Sequence, residues 1–320
     1  MNKDLNQKTI FISLASVTDT EIVPSVINAF AAAKYPERIF IGIGLLDKNK
    51  KNYKKLKNLN NDHISIKYEK FNKKLLGVGL GRARAQSLYN NQDYFLQLDA
   101  HSFFNQGWDE DLINLHKEAK EFSKSEKVIL SCIPAKYSYD PDRSQLEGNK
   151  FPVYPAFRML RFWPGGVPRW ESIDLKNWGE FPNKFYPVAK ASSAFMFGDQ
   201  DFGKDTGIEE SAVFYDEEIF YSVNLFDKGY SFIFPNVVPF PISHLFASDI
   251  NRFGGHRDFW TKSLSKKEDE DMTNKMMKTF KDFINNEINR EKIRKYEKYS
   301  KVSLKHGAAI DVYMPKEFNL

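Results

Sequence analysis

Along the first hundred residues, the spacing of apolar residues alternates between the periods of strands and helices, and this alternation limits the folds open to the chain. The predicted order is β-α-β-β-α-β. Strands are predicted over residues 9–15, 38–43, 63–68 and 94–98, and helices over residues 21–33 and 81–89. This order favours an α/β fold with a mainly parallel sheet and helices on its faces. Ligands of such sheets bind beyond the carboxyl ends of the strands.

The middle of the chain is interrupted by eight prolines between residues 129 and 197, which exclude long helices there and favour loops and short strands. Long irregular segments of this kind often bind a ligand. Regular spacing returns in a predicted helix over 216–226 and predicted strands over 231–234 and 236–242.

A Lys/Glu-rich tail begins near residue 261 and has helical spacing. Four apolar residues follow each other at a four-residue step, namely Met272, Met276, Phe280 and Ile284. This stripe predicts a helix packed on the rest of the protein. We therefore expect a main domain over 1–260 and a helical C-terminal extension over 261–320.

The composition excludes several classes of protein. Hydrophobic residues make up 42% of the chain and charged residues 28%, which is ordinary globular usage. No apolar run reaches the roughly 18 residues that span a bilayer, and the polar N-terminus lacks a signal-peptide core. The single cysteine, Cys132, excludes an intramolecular disulfide framework and a cysteine-rich zinc site. We expect a soluble cytoplasmic protein without a membrane span.

A net charge of +5 raises the question of nucleic-acid binding. The 47 basic residues face 42 acidic ones, and much of the excess lies in two lysine runs, at 48–57 and 262–267. No nucleic-acid-binding motif surrounds these runs, so we interpret them as solvated faces and expect no nucleic-acid partner.

A carboxylate and an imidazole stand two residues apart where the predicted strand over 94–98 ends, at Asp99 and His101. If strand geometry continues, both side chains leave the same face of the sheet at its ligand-binding edge. The pair suits a Mn²⁺-like cation, which can hold the two phosphates of a nucleotide sugar. An Asp-x-His sequence also arises by chance, and either residue can cap a turn, so the pair alone leaves both interpretations open.

The sequence around this pair resembles a known enzyme class. Residues 79–101 (GLGRARAQSLYNNQDYFLQLDAH), followed by Trp108 and Asp109, resemble the donor site of GT-A glycosyltransferases that transfer N-acetylhexosamines to proteins. The chain looks most like the cytoplasmic protein-hydroxyproline N-acetylglucosaminyltransferases and, more distantly, the polypeptide N-acetylgalactosaminyltransferases. The resemblance runs from about residue 8 to 260 and covers the tail only weakly.

The resemblance implies a GT-A fold, which is a Rossmann-like mixed sheet with helices on both faces. It also implies transfer of an N-acetylhexosamine, GlcNAc first among them, from a UDP-sugar to a hydroxyl group with retention of configuration, and the sequence does not separate UDP-GlcNAc from UDP-GalNAc. A divalent cation, Mn²⁺ first among them, would be the cofactor. The acceptor would be a threonine, serine or hydroxyproline of a protein, or a glycan, and neither the acceptor nor the oligomeric state follows from the sequence.

Several site residues follow from the resemblance by position. Asp99 and His101 match the metal-binding pair, and His244 matches the downstream histidine that completes the metal site. Arg82 and Arg84 match basic residues near the nucleotide, although an exposed helical face would look the same. A hydrogen-bonded core histidine is likewise the alternative for His244.

The first strand and the helix over 216–226 supply the remaining site residues. Ala15 and Ser16 fall where the uridine-binding loop of the family begins. Glu217, followed by Glu218, matches the family's acidic residue next to the reacting sugar, although acidic residues are favoured at any helix N-terminus. Asp216 replaces the usual glycine of that motif. The segment Ala191–Phe195 resembles the small-residue strand against which the sugar ring lies.

Two other classes of function stay open. Residues 77–81 (GVGLG), with Asp99 about 20 residues on, could be the dinucleotide loop of an NAD-dependent oxidoreductase, although the charged residues before it do not suit a buried strand. A non-catalytic glycan- or peptide-binding module would use the aromatic residues without a metal. In the glycosyltransferase interpretation these aromatics form an acceptor wall, consisting of Trp163, Trp170, Trp178 and Phe246.

Overall fold

The computed structural model describes residues 7–47, 49–71, 77–139, 146–148, 158–163, 167–172, 183–214, 216–245 and 266–305. The predicted acceptor wall lies outside the part of the chain whose side chains are described.

The first hundred residues contain the predicted strands and helices and one helix more. In chain order the elements are Ile10–Val17 (β1), Ile22–Ala32 (α1), Ile39–Asp47 (β2), Lys51–Lys57 (α2), Ile64–Lys70 (β3), Val78–Gln86 (α3) and Tyr94–Asp99 (β4). The additional helix α2 forms in the first lysine run, where Asn52 and Leu56 are buried and Tyr53 is partly buried against the core. The predicted order β-α-β-β-α-β is wrong at this point, because two buried residues in seven are too weak a periodic signal.

The remaining described elements are more often strands. They are Ser102–Phe104 (β5), Trp108–Ser123 (α4), Val128–Ser131 (β6), Ala135–Tyr139 (β7), Leu146–Gly148 (β8), Arg158–Trp163 (β9), Val167–Ser172 (β10), Phe185–Val188 (β11), Phe195–Asp199 (β12), Gln200–Asp205 (α5), Glu217–Asp227 (α6), Ser231–Pro235 (β13), Ile242–Leu245 (β14), Lys266–Asn285 (α7) and Arg290–Ser300 (α8). The predicted strand over 236–242 is wrong over most of its length, since β14 begins only at Ile242. Pro239 and Pro241 have no N–H to donate to a strand ladder.

A mixed sheet of eight strands forms the centre of the fold, in the order β11-β13-β6-β12-β4-β1-β2-β3. Strands β1 to β4 are parallel to one another, whereas β12 runs antiparallel between β4 and β6. The β2 residues Ile41 and Ile43 are buried on one face and Gly42 and Gly44 meet α3 on the other, so both faces are covered. A second sheet has the order β5-β14-β7-β8.

Small residues let α3 lie directly on the central sheet. A Cβ at Gly44 would stand 1.8 Å from the Gly81 carbonyl oxygen, and one at Gly81 would stand 3.2 Å from the Ala15 Cβ. Ala15 pairs with Gly44 on β2 and with Asp99 on β4. The close approach therefore brings Arg82, which follows Gly81, to the carboxyl end of β4.

The two C-terminal helices pack against α6. Phe280 of the predicted stripe is buried in a cluster with Ile219 and Phe220, while Ile284 is partly buried against it. On α8, the Tyr296 hydroxyl donates to the Ala189 carbonyl at 2.9 Å. No helix in the described part of the chain combines the length and the apolar character needed to cross a membrane.

Candidate active site

The fold brings Asp99, His101 and His244 together at the carboxyl edge of the central sheet. Asp99 is the last residue of β4, and His101 lies in the bend before β5. Strand β14 pairs antiparallel with β5, so that His244 faces Ser102 across the ladder. One nitrogen or oxygen from each of the three side chains lies within 4.8 Å of the others. Two segments some 140 residues apart thus form one cluster.

The ring nitrogens of both histidines approach the same carboxylate oxygen. His244 Nε2 is 3.1 Å from Asp99 Oδ2, and His101 Nε2 is 4.0 Å from it. The two imidazole rings are 4.6 Å apart between centroids and 70° apart in plane. The His101 and His244 side chains are 8% and 10% exposed, whereas the Asp99 side chain is 26% exposed. The cluster therefore opens to solvent through the aspartate.

The pKa shifts of Asp99 and His244 favour cation binding, whereas that of His101 favours a bound proton in the absence of an ion. Burial raises the pKa of Asp99, but the His244 hydrogen bond and the Arg82 guanidinium outweigh burial and hold this pKa well below its usual range. Burial lowers the pKa of His244 in spite of its hydrogen bond to Asp99. For His101, burial is outweighed by the Asp19 and Asp99 carboxylates, which raise its pKa.

The donor set fits a divalent cation. A carboxylate and two imidazoles are ligands of Mn²⁺ and related ions, and bonds of about 2.1 Å place neighbouring ligand atoms about 3 to 3.5 Å apart. The distances from Asp99 Oδ2 to the two histidine nitrogens, 3.1 and 4.0 Å, need only small shifts to meet that geometry. Asp99, His101 and His244 are therefore the residues that can hold the ion.

Arg82 occupies the back of the cluster and forms a buried ion-pair network. Its side chain is 3% exposed, and it donates to Asp99 Oδ1 at 2.9 Å and to the two oxygens of Glu217 at 2.8 and 3.2 Å. It also donates to the Leu98 carbonyl at 3.3 Å. The side chain thus fixes the Asp99 carboxylate, whose Oδ2 faces the histidines.

The other predicted donor-site residues lie in three places. Arg84 is 39% exposed and approaches Glu69 and Glu210 at 3.7 and 3.6 Å, on the outer side of α3. Ala15 lies beside Asp99 in the sheet register and is partly exposed. The Ser16 hydroxyl is buried without a hydrogen-bond partner in the described part of the protein. Ala15 thus shares the edge of Asp99, whereas Arg84 does not reach the metal cluster.

Glu217 and Glu218 begin α6 but face different neighbours. Burial raises the pKa of Glu217 to about 7, although the Arg82 guanidinium opposes this shift. Glu218 Oε1 accepts from the Ser193 backbone N–H at 3.1 Å, and its Oε2 lies 2.5 Å from Lys190 Nζ. Glu217 is therefore connected to Asp99 through Arg82, which donates to both carboxylates, whereas Glu218 holds the small-residue segment before β12.

Asp216 has a structural role at the position where the resembled families carry glycine. Its backbone is in the ordinary right-handed region, with φ −71°, so a glycine is not required there. Its Oδ1 accepts from the backbone N–H groups of Val213 and Phe214 at 2.9 and 3.0 Å. The aspartate therefore closes the loop that precedes α6.

The glycines over 77–81 serve packing instead of phosphate binding. The N–H groups of Val78 and Gly79, at the start of α3, donate to the carbonyls of Val213 and Ala212 at 2.9 and 3.1 Å. A Cβ at Gly79 would stand 2.4 Å from the Glu209 carbonyl oxygen. Because these two N–H groups already have partners, they are not free to bind a phosphate as those of a dinucleotide loop do.

One residue of the site was not predicted. Asp19, in the loop between β1 and α1, places its Oδ2 at 2.7 Å from His101 Nδ1. In the sequence it stands among threonines before a helix, a pattern typical of helix capping. No sequence signal connects it with a histidine 82 residues away.

Comparison with known proteins gives a family and a fold. The family model described as Glycosyltransferase (GlcNAc) matches residues 45–278. A solved structure described as GalNAc-T7 with UDP, GalNAc and Mn²⁺ is similar with a TM-score of 0.53 at 12% sequence identity. The similarity covers 92% of this chain and 55% of that chain, so this chain spans about half the length of that protein. The fold is thus that of GT-A glycosyltransferases, as predicted. A search of curated proteins returned no match.

Proposed function

Because the chain belongs to the Glycosyltransferase (GlcNAc) family, we propose that it transfers N-acetylglucosamine from UDP-GlcNAc to a protein hydroxyl group with retention of configuration. The observation that carries the proposal is the convergence of Asp99, His101 and His244 at the carboxyl edge of the sheet. The description of the family supports GlcNAc, and the UDP and Mn²⁺ of the similar structure support this donor class and this cation.

The reaction separates UDP from the sugar, and the site must accommodate the negative charge that develops on the diphosphate. A divalent cation at Asp99, His101 and His244 supplies that neutralisation when bound. Arg82 holds the Asp99 carboxylate in place, with Oδ1 accepting its hydrogen bond and Oδ2 facing the histidines. Ala15 and Ser16, at the end of β1, lie at the edge where the uridine would bind.

The acceptor hydroxyl attacks the anomeric carbon from the side that the diphosphate leaves, which retains the configuration. The departing phosphate can accept the hydroxyl proton, so no protein base is required for this step. Glu217 is held beside the cluster by Arg82, and we assign it the orientation of sugar or acceptor. Glu218 positions the backbone of Ser193, which belongs to the small-residue segment against which we place the sugar ring.

Further aspects of the proposal concern location and organisation. The one cysteine, Cys132, is buried and free, which supports a reducing, cytoplasmic location. We propose a catalytic domain over 1–260 with an extension over 261–320, supported by the packing of Phe280 on α6. Trp163, Trp170, Trp178 and Phe246 remain the proposed acceptor wall, and Arg84 remains a proposed helper at the nucleotide.

The test is a UDP-release assay with UDP-GlcNAc, UDP-GalNAc and UDP-glucose, after EDTA treatment and with added Mn²⁺. We expect Mn²⁺-dependent release of UDP, fastest with UDP-GlcNAc. Asp99→Asn should lower the rate of release at least 100-fold, because it replaces a charged carboxylate ligand with a neutral amide. Asp93→Asn is the matched control, since Asp93 precedes the same strand at its opposite end and accepts from Thr9.

Two results would contradict the proposal. Metal-independent turnover, or an unchanged Asp99→Asn variant, would exclude the cation role of the cluster. Binding of a glycan without any UDP release would favour the non-catalytic module.

A further inference from the structure

Asp19 hydrogen-bonds to His101 on the side of the ring that faces away from Asp99 and His244. Its Oδ2 is 2.7 Å from His101 Nδ1, while its Oδ1 accepts from the Glu21 backbone N–H at 2.8 Å. The aspartate is 2% exposed. Both carboxylate oxygens therefore have a donor in front of them, and the imidazole is the one that leads to the cluster.

The loop that carries Asp19 is itself held in place. The Asn52 side-chain amide, from the first turn of α2, donates to the Asp19 carbonyl at 2.9 Å. Next to it, Thr18 has a left-handed backbone, with φ 52°, and its N–H donates to the Leu46 carbonyl at 2.8 Å. An uncommon backbone conformation for threonine is thus maintained by contacts with β2, and it orients the following carboxylate toward His101.

A carboxylate that accepts a hydrogen bond from one ring nitrogen decides which tautomer a neutral imidazole adopts. When Nδ1 donates its proton to Asp19, the lone pair lies on Nε2, the atom that faces Asp99 at 4.0 Å. Histidine ligands of metal ions commonly donate their second ring N–H to a carboxylate in this way, which also raises the basicity of the ligating nitrogen.

We infer that Asp19 is a positioning residue, which fixes His101 with its proton on Nδ1 and presents the Nε2 lone pair to the divalent cation. The inference rests on the proposed function, because it assigns Asp19 a part in holding the same ion. His244 approaches Asp99 with Nε2 at 3.1 Å, so the two rings offer equivalent atoms to one position.

An aspartate is required by the geometry, because an asparagine has one acceptor oxygen instead of two. In Asp19→Asn that oxygen can accept from His101 or from the Glu21 N–H, and the amide group then faces the other donor. We expect Asp19→Asn and Asp19→Ala both to lower the affinity for Mn²⁺ by 10- to 100-fold, the usual effect of removing such a partner. Asp93→Asn, at the opposite end of β4, should leave this affinity unchanged.

The deciding measurement is the protonation of His101 in the metal-free full-length protein, read from its imidazole ¹⁵N chemical shifts above pH 8. The wild type should show a proton on Nδ1 and a bare Nε2, with the signal assigned by its loss in His101→Gln. In Asp19→Ala the ring should populate the Nε2–H form. Mn²⁺ affinity of all variants is measured in parallel by titration calorimetry, with folding checked by circular dichroism.

The two measurements separate this inference from the proposed function. A wild-type His101 with its proton on Nε2, or an unchanged tautomer in Asp19→Ala, would overturn the role of Asp19 whatever the protein binds. An Asp19→Asn variant with wild-type Mn²⁺ affinity would overturn it as well. If the tautomer depends on Asp19 but the wild type does not bind Mn²⁺, the ion-holding part of the inference is overturned together with the proposed cation site.

Discussion

Arg82 is the side chain whose loss should disturb the site most, and Arg82→Met removes its charge while keeping an apolar stem. The substitution leaves Glu217, which is 4% exposed, and the Asp99 carboxylate without their shared cation. It also removes a donor from the Leu98 carbonyl. We expect lower stability, because two carboxylates then stand near each other in a buried environment.

The magnitude follows from the type of contact. Removing one partner of a buried ion pair typically costs about 3 to 5 kcal/mol, because the remaining charge stays buried and uncompensated. Exposed pairs such as that of Arg294 and Glu291 contribute roughly 0 to 1 kcal/mol. For a chain of this length the loss at Arg82 should lower the melting temperature by roughly 4 to 7 °C.

The pH dependence and a double substitution identify the cause. Arg82 lowers the pKa of Glu217, so its loss raises that pKa further, and the penalty should shrink at pH 5, where Glu217 is protonated. Glu217→Gln in the Arg82→Met background should recover a large part of the stability, since it removes the uncompensated charge.

The assay is urea unfolding at pH 5 and pH 8, followed by tryptophan fluorescence, with Arg294→Met as the exposed control. The reasoning is refuted if Arg82→Met costs no more than the control, or if adding Glu217→Gln lowers the stability further by the full cost of a second lost pair.

Two further predictions concern packing and pH. Gly44→Ala should lower the stability by at least the roughly 1 to 3 kcal/mol that is typical of overpacking, since its Cβ would overlap the Gly81 backbone. Gly229→Ala is strained at φ 87° but has no neighbour within 4 Å, so it should cost less. Equal melting temperatures of the two variants would contradict the steric argument. Burial raises the pKa of Asp216 from about 3.8 to about 6, so the folded state binds a proton that the unfolded state has lost, and the free energy of unfolding should fall by about 3 kcal/mol as the pH rises through this interval. Asp216→Asn should reduce the slope between pH 4.5 and 7.5 in urea unfolding, while Glu217 with its pKa of about 7 still contributes, and an unchanged slope would assign it to other groups.

The sequence predicts the elements whose burial is strong and regular. Strand β4 was found because Tyr94 to Leu98 are apolar or buried throughout, and α6 because Ile219 and Val223 repeat at helical spacing. Helix α2 was missed because its two buried residues, Asn52 among them, do not form an apolar stripe. In such short segments, tertiary contact decides the structure and the sequence carries little of that information.

The site was predictable where a short motif carries it. Asp99 and His101 are two residues apart, so one strand end suffices to bring them together, and only the family resemblance pointed to His244. That Arg82 would bind Glu217, 135 residues away, or that Asp19 would reach His101, depends on the packing of α3 and on a loop conformation. No local pattern encodes either contact.

The contacts of the site form a continuous series from one side of the edge to the other. Glu217 binds Arg82, Arg82 binds one oxygen of Asp99, and the other oxygen faces the histidines. Asp19 then holds His101 from the far side. Asp99 and His101 are therefore oriented by their partners before an ion arrives. Ion binding does not require these side chains to be ordered anew. This preorganisation explains why the residues behind the ligands, which do not touch the ion, should affect metal affinity and stability.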